Sequence, residues 1–175
     1  MGRKKLLAAL GCLVLGTAAA CAQVISFQII QRDTVQTEIR SVSYMLENGL
    51  FDYFFNKGYI ATNSPTAVSG SEAEARSVAY AALSEASEGL CDYFVSVSID
   101  CAGSSTNPAA LLLSNIRGVS WNVFDVKTGT ELSSGSKAPT LTARNNNEKG
   151  VKSFSAQVAA EIESALPKSG TAKGW

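Results

Sequence analysis

Histidine is absent from the 175 residues of the chain. That removes the usual general base, the commonest metal ligand and the side chain that titrates near neutral pH. Ser-His-Asp and Cys-His pairs are excluded with it. Charge is also sparse. Asp, Glu, Lys and Arg make up 17% of the residues against 46% apolar ones, the balance of a chain that buries a core rather than stays disordered. No Gly-rich phosphate loop follows a predicted strand, and GxxxxGK[ST] does not occur. No S-x-x-K stands at a helix start after a strand; Ser133-Ser134-Gly135-Ser136-Lys137 reads as a polar strand. These gaps leave no recognisable catalytic constellation and no cofactor site, and the chain is expected not to be an enzyme.

What is present begins with an export signal. Arg3, Lys4 and Lys5 form a basic head, residues 6–15 an apolar body, and residues 16–23 a run of mostly small residues. The apolar body is too short for a spanning helix of about 20 residues, and the three zones together define a secretory signal over residues 1–22. Two cleavage modes compete. Ala20-Cys21-Ala22 before Gln23 fits ordinary signal peptidase. Ala18-Ala19-Ala20-Cys21 resembles a relaxed bacterial lipobox, in which Cys21 becomes the lipid-bearing first residue. Strict lipoboxes prefer Leu where Ala18 stands, and a strand beginning near Val24 leaves a lipid on Cys21 almost no tether. The expected location is therefore the periplasm, either free or anchored through Cys21.

About 150 residues remain, enough for one domain with a normal core. Loss of the three basic head residues leaves 12 basic against 15 acidic side chains, a net of −3. A mildly acidic domain without a basic run is a poor match for nucleic acid. Cys91 and Cys101 persist after processing, but they flank a predicted strand whose ends lie about 30 Å apart. A bridge needs Cα atoms roughly 4.4–6.8 Å apart, so no disulfide joins them. Two buried thiols are expected instead.

Hydrophobic periodicity predicts a strand over 24–30 and a helix over 38–57 stopped by Gly58. A short strand over 59–62 follows, ended by Asn63-Ser64-Pro65. Ser71-Glu72-Ala73-Glu74 is a capping-box pattern, and it opens a helix reaching Glu88 with a small-residue stripe; Gly89 ends it. Strands are predicted over 92–100, 118–126 and 131–136, the last two joined by a turn with Gly129. A final helix spans 148–166, burying Val151, Phe154, Val158, Ile162 and Leu166. The expectation is an α+β domain over 23–167. It has one mixed sheet of about five strands packed by three helices, in the order βαβαβββα, with a loose tail over 168–175.

Three segments carry a family resemblance: Phe54-Phe55-Asn56-Lys57-Gly58-Tyr59-Ile60, Gly89-Leu90-Cys91-Asp92-Tyr93-Phe94-Val95, and Trp121-Asn122-Val123-Phe124-Asp125-Val126-Lys127-Thr128-Gly129. They resemble the amino-terminal domain of TolB and the related domains of curli-secretion-type and penicillin-binding-protein-activator lipoproteins. The resemblance implies this fold, an envelope setting and a non-catalytic role through protein contacts. The propeller that follows this domain in TolB, and the membrane-spanning strands of curli-type channels, have no counterpart in these 175 residues.

One aromatic pair stands out. On a helical wheel Leu46, Leu50 and Tyr53 cluster on the core side, and Phe51 and Phe55 fall well over 100° from that cluster. Either another element covers them or they form an exposed patch for a partner. The leading expectation is a non-enzymatic envelope module that binds another envelope protein, with membrane association only through a lipid on Cys21. The alternative is a periplasmic carrier of a small apolar ligand held between sheet and helices. The partner and the oligomeric state are not legible.

Overall fold

The computed structural model describes residues 22–102 and 107–167. Cys21, with all of the signal segment except Ala22, and the tail over 168–175 lie outside the described residues. The elements are β1 (Val24–Arg32), α1 (Ser41–Asn56), β2 (Ile60–Ser69), α2 (Glu72–Glu88), β3 (Tyr93–Cys101), a 3-10 turn (Leu113–Asn115), β4 (Ile116–Asp125), β5 (Thr130–Lys137) and α3 (Glu148–Ala165). They form one mixed sheet in the order β2-β1-β3-β4-β5. The β2, β1 and β3 strands run parallel, and β4 and β5 close the sheet as an antiparallel hairpin. This is the expected α+β architecture and element order.

Strand alternation divides the chain between two faces. Ile25, Phe27 and Ile29 of β1, Val95, Val97 and Ile99 of β3, and Val119, Trp121 and Val123 of β4 point to one side. Val42, Leu46, Leu50 and Phe54 of α1 and Val151, Phe154, Val158 and Ile162 of α3 meet them in one core. The two helices approach closely. A Cβ on Gly49 would lie 2.1 Å from Ser155 Oγ, so only glycine fits there, and the Ser155 hydroxyl donates to Leu46 O at 3.1 Å. The opposite side of the sheet carries α2, whose Ala82 and Ala86 pack with Cys91, Phe94 and Val126 in a smaller second core.

Two local features differ from the sequence expectation. The first is the start of α1, at Ser41 rather than near Glu38. Side chains capture the intervening backbone. Asp33 Oδ1 accepts from the amides of Val35 and Gln36 at 2.9 and 3.2 Å. Gln31 Oε1 accepts from Arg40 N at 2.7 Å and from Ser43 Oγ at 2.9 Å, and Gln31 Nε2 donates to Glu38 O. Polar residues before a helix compete with helical hydrogen bonding in this way.

The second is β2, which runs through Pro65 to Ser69 instead of stopping before it. It is an edge strand, where a missing N–H is tolerated. A register shift opposite Gln28 and Ile30 absorbs the proline, and Gln28 Nε2 donates to Pro65 O at 3.0 Å.

The end of α2 falls at Glu88 with Gly89 as its C-cap, as expected. Both α1 and α2 close with a Schellman motif. In α1, Tyr59 N donates to Phe54 O and Gly58 N to Phe55 O, with Gly58 at φ +86°. In α2, Cys91 N donates to Ala86 O and Leu90 N to Ser87 O. The left-handed position there falls not on Gly89 but on Leu90, at φ +55°.

Candidate interaction surface

On the α2 side the sheet is polar. The β1 Gln28 stands level with Ser96 of β3, Asn122 of β4 and Ser134 of β5. The next row is Ile30, Ser98, Ser120 and Ser136. Hydroxyl and amide groups thus dominate these two rows, interrupted by Ile30, while β1, β3 and β4 turn large apolar groups to the other face. The α2 helix packs mainly against β2, β1 and β3, meets β4 at Phe124, and leaves this face of β4 half-covered and of β5 open. Ser134 and Ser136 are exposed.

A cavity of about 220 Å³ lies where the helix ends and the open face begins, lined by Arg76, Tyr80 and Leu83 of α2 and by Ser98, Asn122 and Glu131 of the sheet. Tyr80 is 65% exposed although it is a large aromatic side chain. Phe94 and Phe124 form the floor at one end, their ring centroids 6.0 Å apart. Beyond it, β5 is the terminal strand of the sheet, and among the described residues no strand pairs with its outer edge. Its backbone groups there are open to a further strand. Together these features supply backbone hydrogen bonding, an aromatic anchor, both signs of charge and a row of hydroxyls.

A second recess of about 140 Å³ sits at the carboxyl ends of β1 and β3, where the direction of strand addition reverses. Open α/β sheets commonly bind ligands at such a point. Here Arg32 pairs with Glu72 at 2.6 Å and Asp100 at 3.3 Å. Behind it lies a buried ion pair, Arg40 Nε to Asp33 Oδ2 at 2.5 Å, with both side chains almost fully enclosed. Burial opposes a charge on Asp33, but Arg40 and the amides of Val35 and Gln36 outweigh it and hold the carboxyl below the usual carboxylate range. Burial, and then the charge of Asp33, push the Cys101 thiol up to about 11. It stays protonated at neutral pH and is a poor nucleophile. Cys91 and Cys101 are free and buried.

The aromatic pair singled out from the sequence separates in space. Phe51 is half-buried, packed against the main core with its ring 5.8 Å from Phe27. Phe55 is 74% exposed in the last turn of α1. Cys21 lies outside the described residues. Arg76, Tyr80 and Glu131 were not legible as a site, because each reads as an ordinary solvated position on its own element. The available signal was the run of serines at every second position in β3 and β5, which marks a sheet face without a full apolar cover.

Fold and surface define a single α+β domain with an open-edged sheet that is polar on one side. A family model described as an uncharacterised protein matches residues 24–167, and the chain belongs to that family. No curated protein matches it. Among solved structures, the PelC dodecamer of Paraburkholderia phytofirmans is 16% identical, with 85% of this chain and 89% of that chain covered and a TM-score of 0.46. Lipoprotein GNA1162 of Neisseria meningitidis is 12% identical, with 82% and 99% covered and a TM-score of 0.49. TolB of Acinetobacter baumannii is 15% identical, with 83% of this chain and 28% of that chain covered and a TM-score of 0.40. TolB is also the protein whose amino-terminal domain the three sequence segments resemble. Among the described residues, no helix is long and apolar enough to cross a membrane.

Proposed function

We propose that this is an exported, non-enzymatic protein of the bacterial cell envelope that binds another envelope protein across the open α2-side face. The observation that carries this reading is the juxtaposition of an unpaired β5 edge with the cavity holding Tyr80, Arg76 and Glu131. An extended segment of a partner adds to β5 through backbone hydrogen bonds and sets a side chain against Tyr80. Specificity comes from Arg76, Glu131 and the serine rows. The carrier reading is less well supported. Large side chains fill the space between the sheet and α1/α3, and the 220 Å³ cavity opens to solvent with polar as well as apolar walls.

Affinity capture from envelope extract tests the proposal, comparing the wild-type chain with Arg76→Glu plus Tyr80→Ala. Both side chains are exposed, so the double variant is expected to keep its unfolding midpoint. A stoichiometric partner held by the wild type should be lost from the variant. Equal retention by both chains would sink the assignment of this surface. Native mass spectrometry showing a co-purified apolar ligand would favour the carrier.

A further inference from the structure

Leu90 combines two unfavourable features. It occupies the left-handed position of a Schellman motif, which glycine usually fills, and its side chain is 85% exposed. The equivalent position after α1 is Gly58. Neither helix capping nor the second core accounts for a leucine here, since the cap needs only backbone groups and Cys91, not Leu90, enters the core.

Its neighbourhood supplies a reason. Asp92, two residues on, accepts from Val24 N at 2.8 Å, and on the other side of β1 Ile60 N donates to Gln23 O at 2.9 Å. Leu90 and Ile60 therefore flank the point where the described chain begins. Ile60 is 52% exposed, and Phe55, five residues before it, is 74% exposed. Residues 1–21 continue from this same end of the sheet, and they include the basic head, apolar body and Cys21. Charges here are mixed: Lys57 and Lys127 against Glu88, Asp92 and Asp125. The exposed apolar groups Phe55, Ile60 and Leu90 stand among these charges, and no basic cluster accompanies them.

We infer that Phe55, Ile60 and Leu90 form a lipid-contacting end, which rests on the surface of a bilayer and inserts these side chains among the headgroups. The inference rests on the envelope setting proposed above but not on the partner surface. Strain at Leu90 is retained because a glycine or asparagine there would remove the apolar contact. Adhesion is driven by apolar burial, so it depends little on salt.

Flotation of the signal-processed chain on phosphatidylethanolamine–phosphatidylglycerol vesicles tests this in the Cys21→Ser background, where neither the signal segment nor an acyl group contributes. The Cys21→Ser chain should float. Leu90→Asn should weaken binding by about tenfold, the scale expected for losing one large apolar contact. The same change should raise the unfolding midpoint, because Asn tolerates the left-handed conformation. In the Cys21→Ser background, a fluorophore on Phe55→Cys should shift to the blue and be quenched by spin-labelled lipid, whereas one on Val35→Cys, at the opposite end of β1, should not. Three results would each overturn the inference: flotation only of an acylated Cys21 chain, equal response of the two labels, or unchanged binding by Leu90→Asn. None of these bears on the capture experiment at the α2-side face.

Discussion

The two faces of the sheet are built from the same strands and do opposite things. In β4, Val119, Trp121 and Val123 are buried under α3, while Ser120, Asn122 and Phe124 between them are only half-covered. In β5 the contrast falls on adjacent residues. Gly135 lies under the Trp121 indole, and Ser136 faces solvent. The covered face fixes the fold, and the polar face is the one proposed to bind. One strand can serve both ends because its side chains alternate.

Substitutions on the covered side should have the largest effects. Phe54 is fully buried against Phe27 and Tyr59, and Phe54→Ala should cost about 3–5 kcal/mol in urea unfolding. The Asp33–Arg40 pair anchors the start of α1 with similar force. Asp33→Asn leaves the Arg40 charge buried without its carboxylate and should cost about 3–5 kcal/mol at neutral pH. The sign with pH follows from the lowered native pKa of Asp33. Its contribution is complete above the unfolded value of about 3.9 and is lost as pH falls through the lower native value. The gap between wild type and Asp33→Asn should therefore narrow below about pH 4. A gap that widened in acid would contradict the assigned pair.

A gentler test uses neighbours on β5. A Cβ on Gly135 would stand 2.5 Å from Trp121, so Gly135→Val should destabilise by about 1–3 kcal/mol. Ser136→Val, one residue on, should change stability by no more than about 0.5 kcal/mol. Equal costs at the two positions would mean that β5 does not divide its faces as described.

The covered face was largely legible in the sequence, because periodicity writes a filled core directly. Val151, Phe154, Val158, Ile162 and Leu166 of the last helical segment are all buried. Where long-range partners decide, the sequence is silent. Pro65 reads as a strand end, yet it sits inside β2 because an edge strand with a register shift accommodates it. Glu38 reads as a helix start, yet Gln31 and Asp33 on the preceding strand hold residues 35–40 out of the helix. Phe51 and Phe55 share a helix face by spacing, yet Phe27 of β1 receives only the first. The surface around Tyr80 exists only once α2 crosses three strands and meets the fourth at Phe124, a placement that no local pattern encodes.

The polar, open face is the proposed working face. A photo-crosslinking residue at Ser134 samples that face, and one at Lys152 on the solvent side of α3 samples the opposite layer. In intact envelopes, the chain carrying the probe at 134 should give a discrete adduct with one partner, and the chain carrying it at 152 should give none. An adduct from 152 alone, or the same products from both positions, would contradict the account.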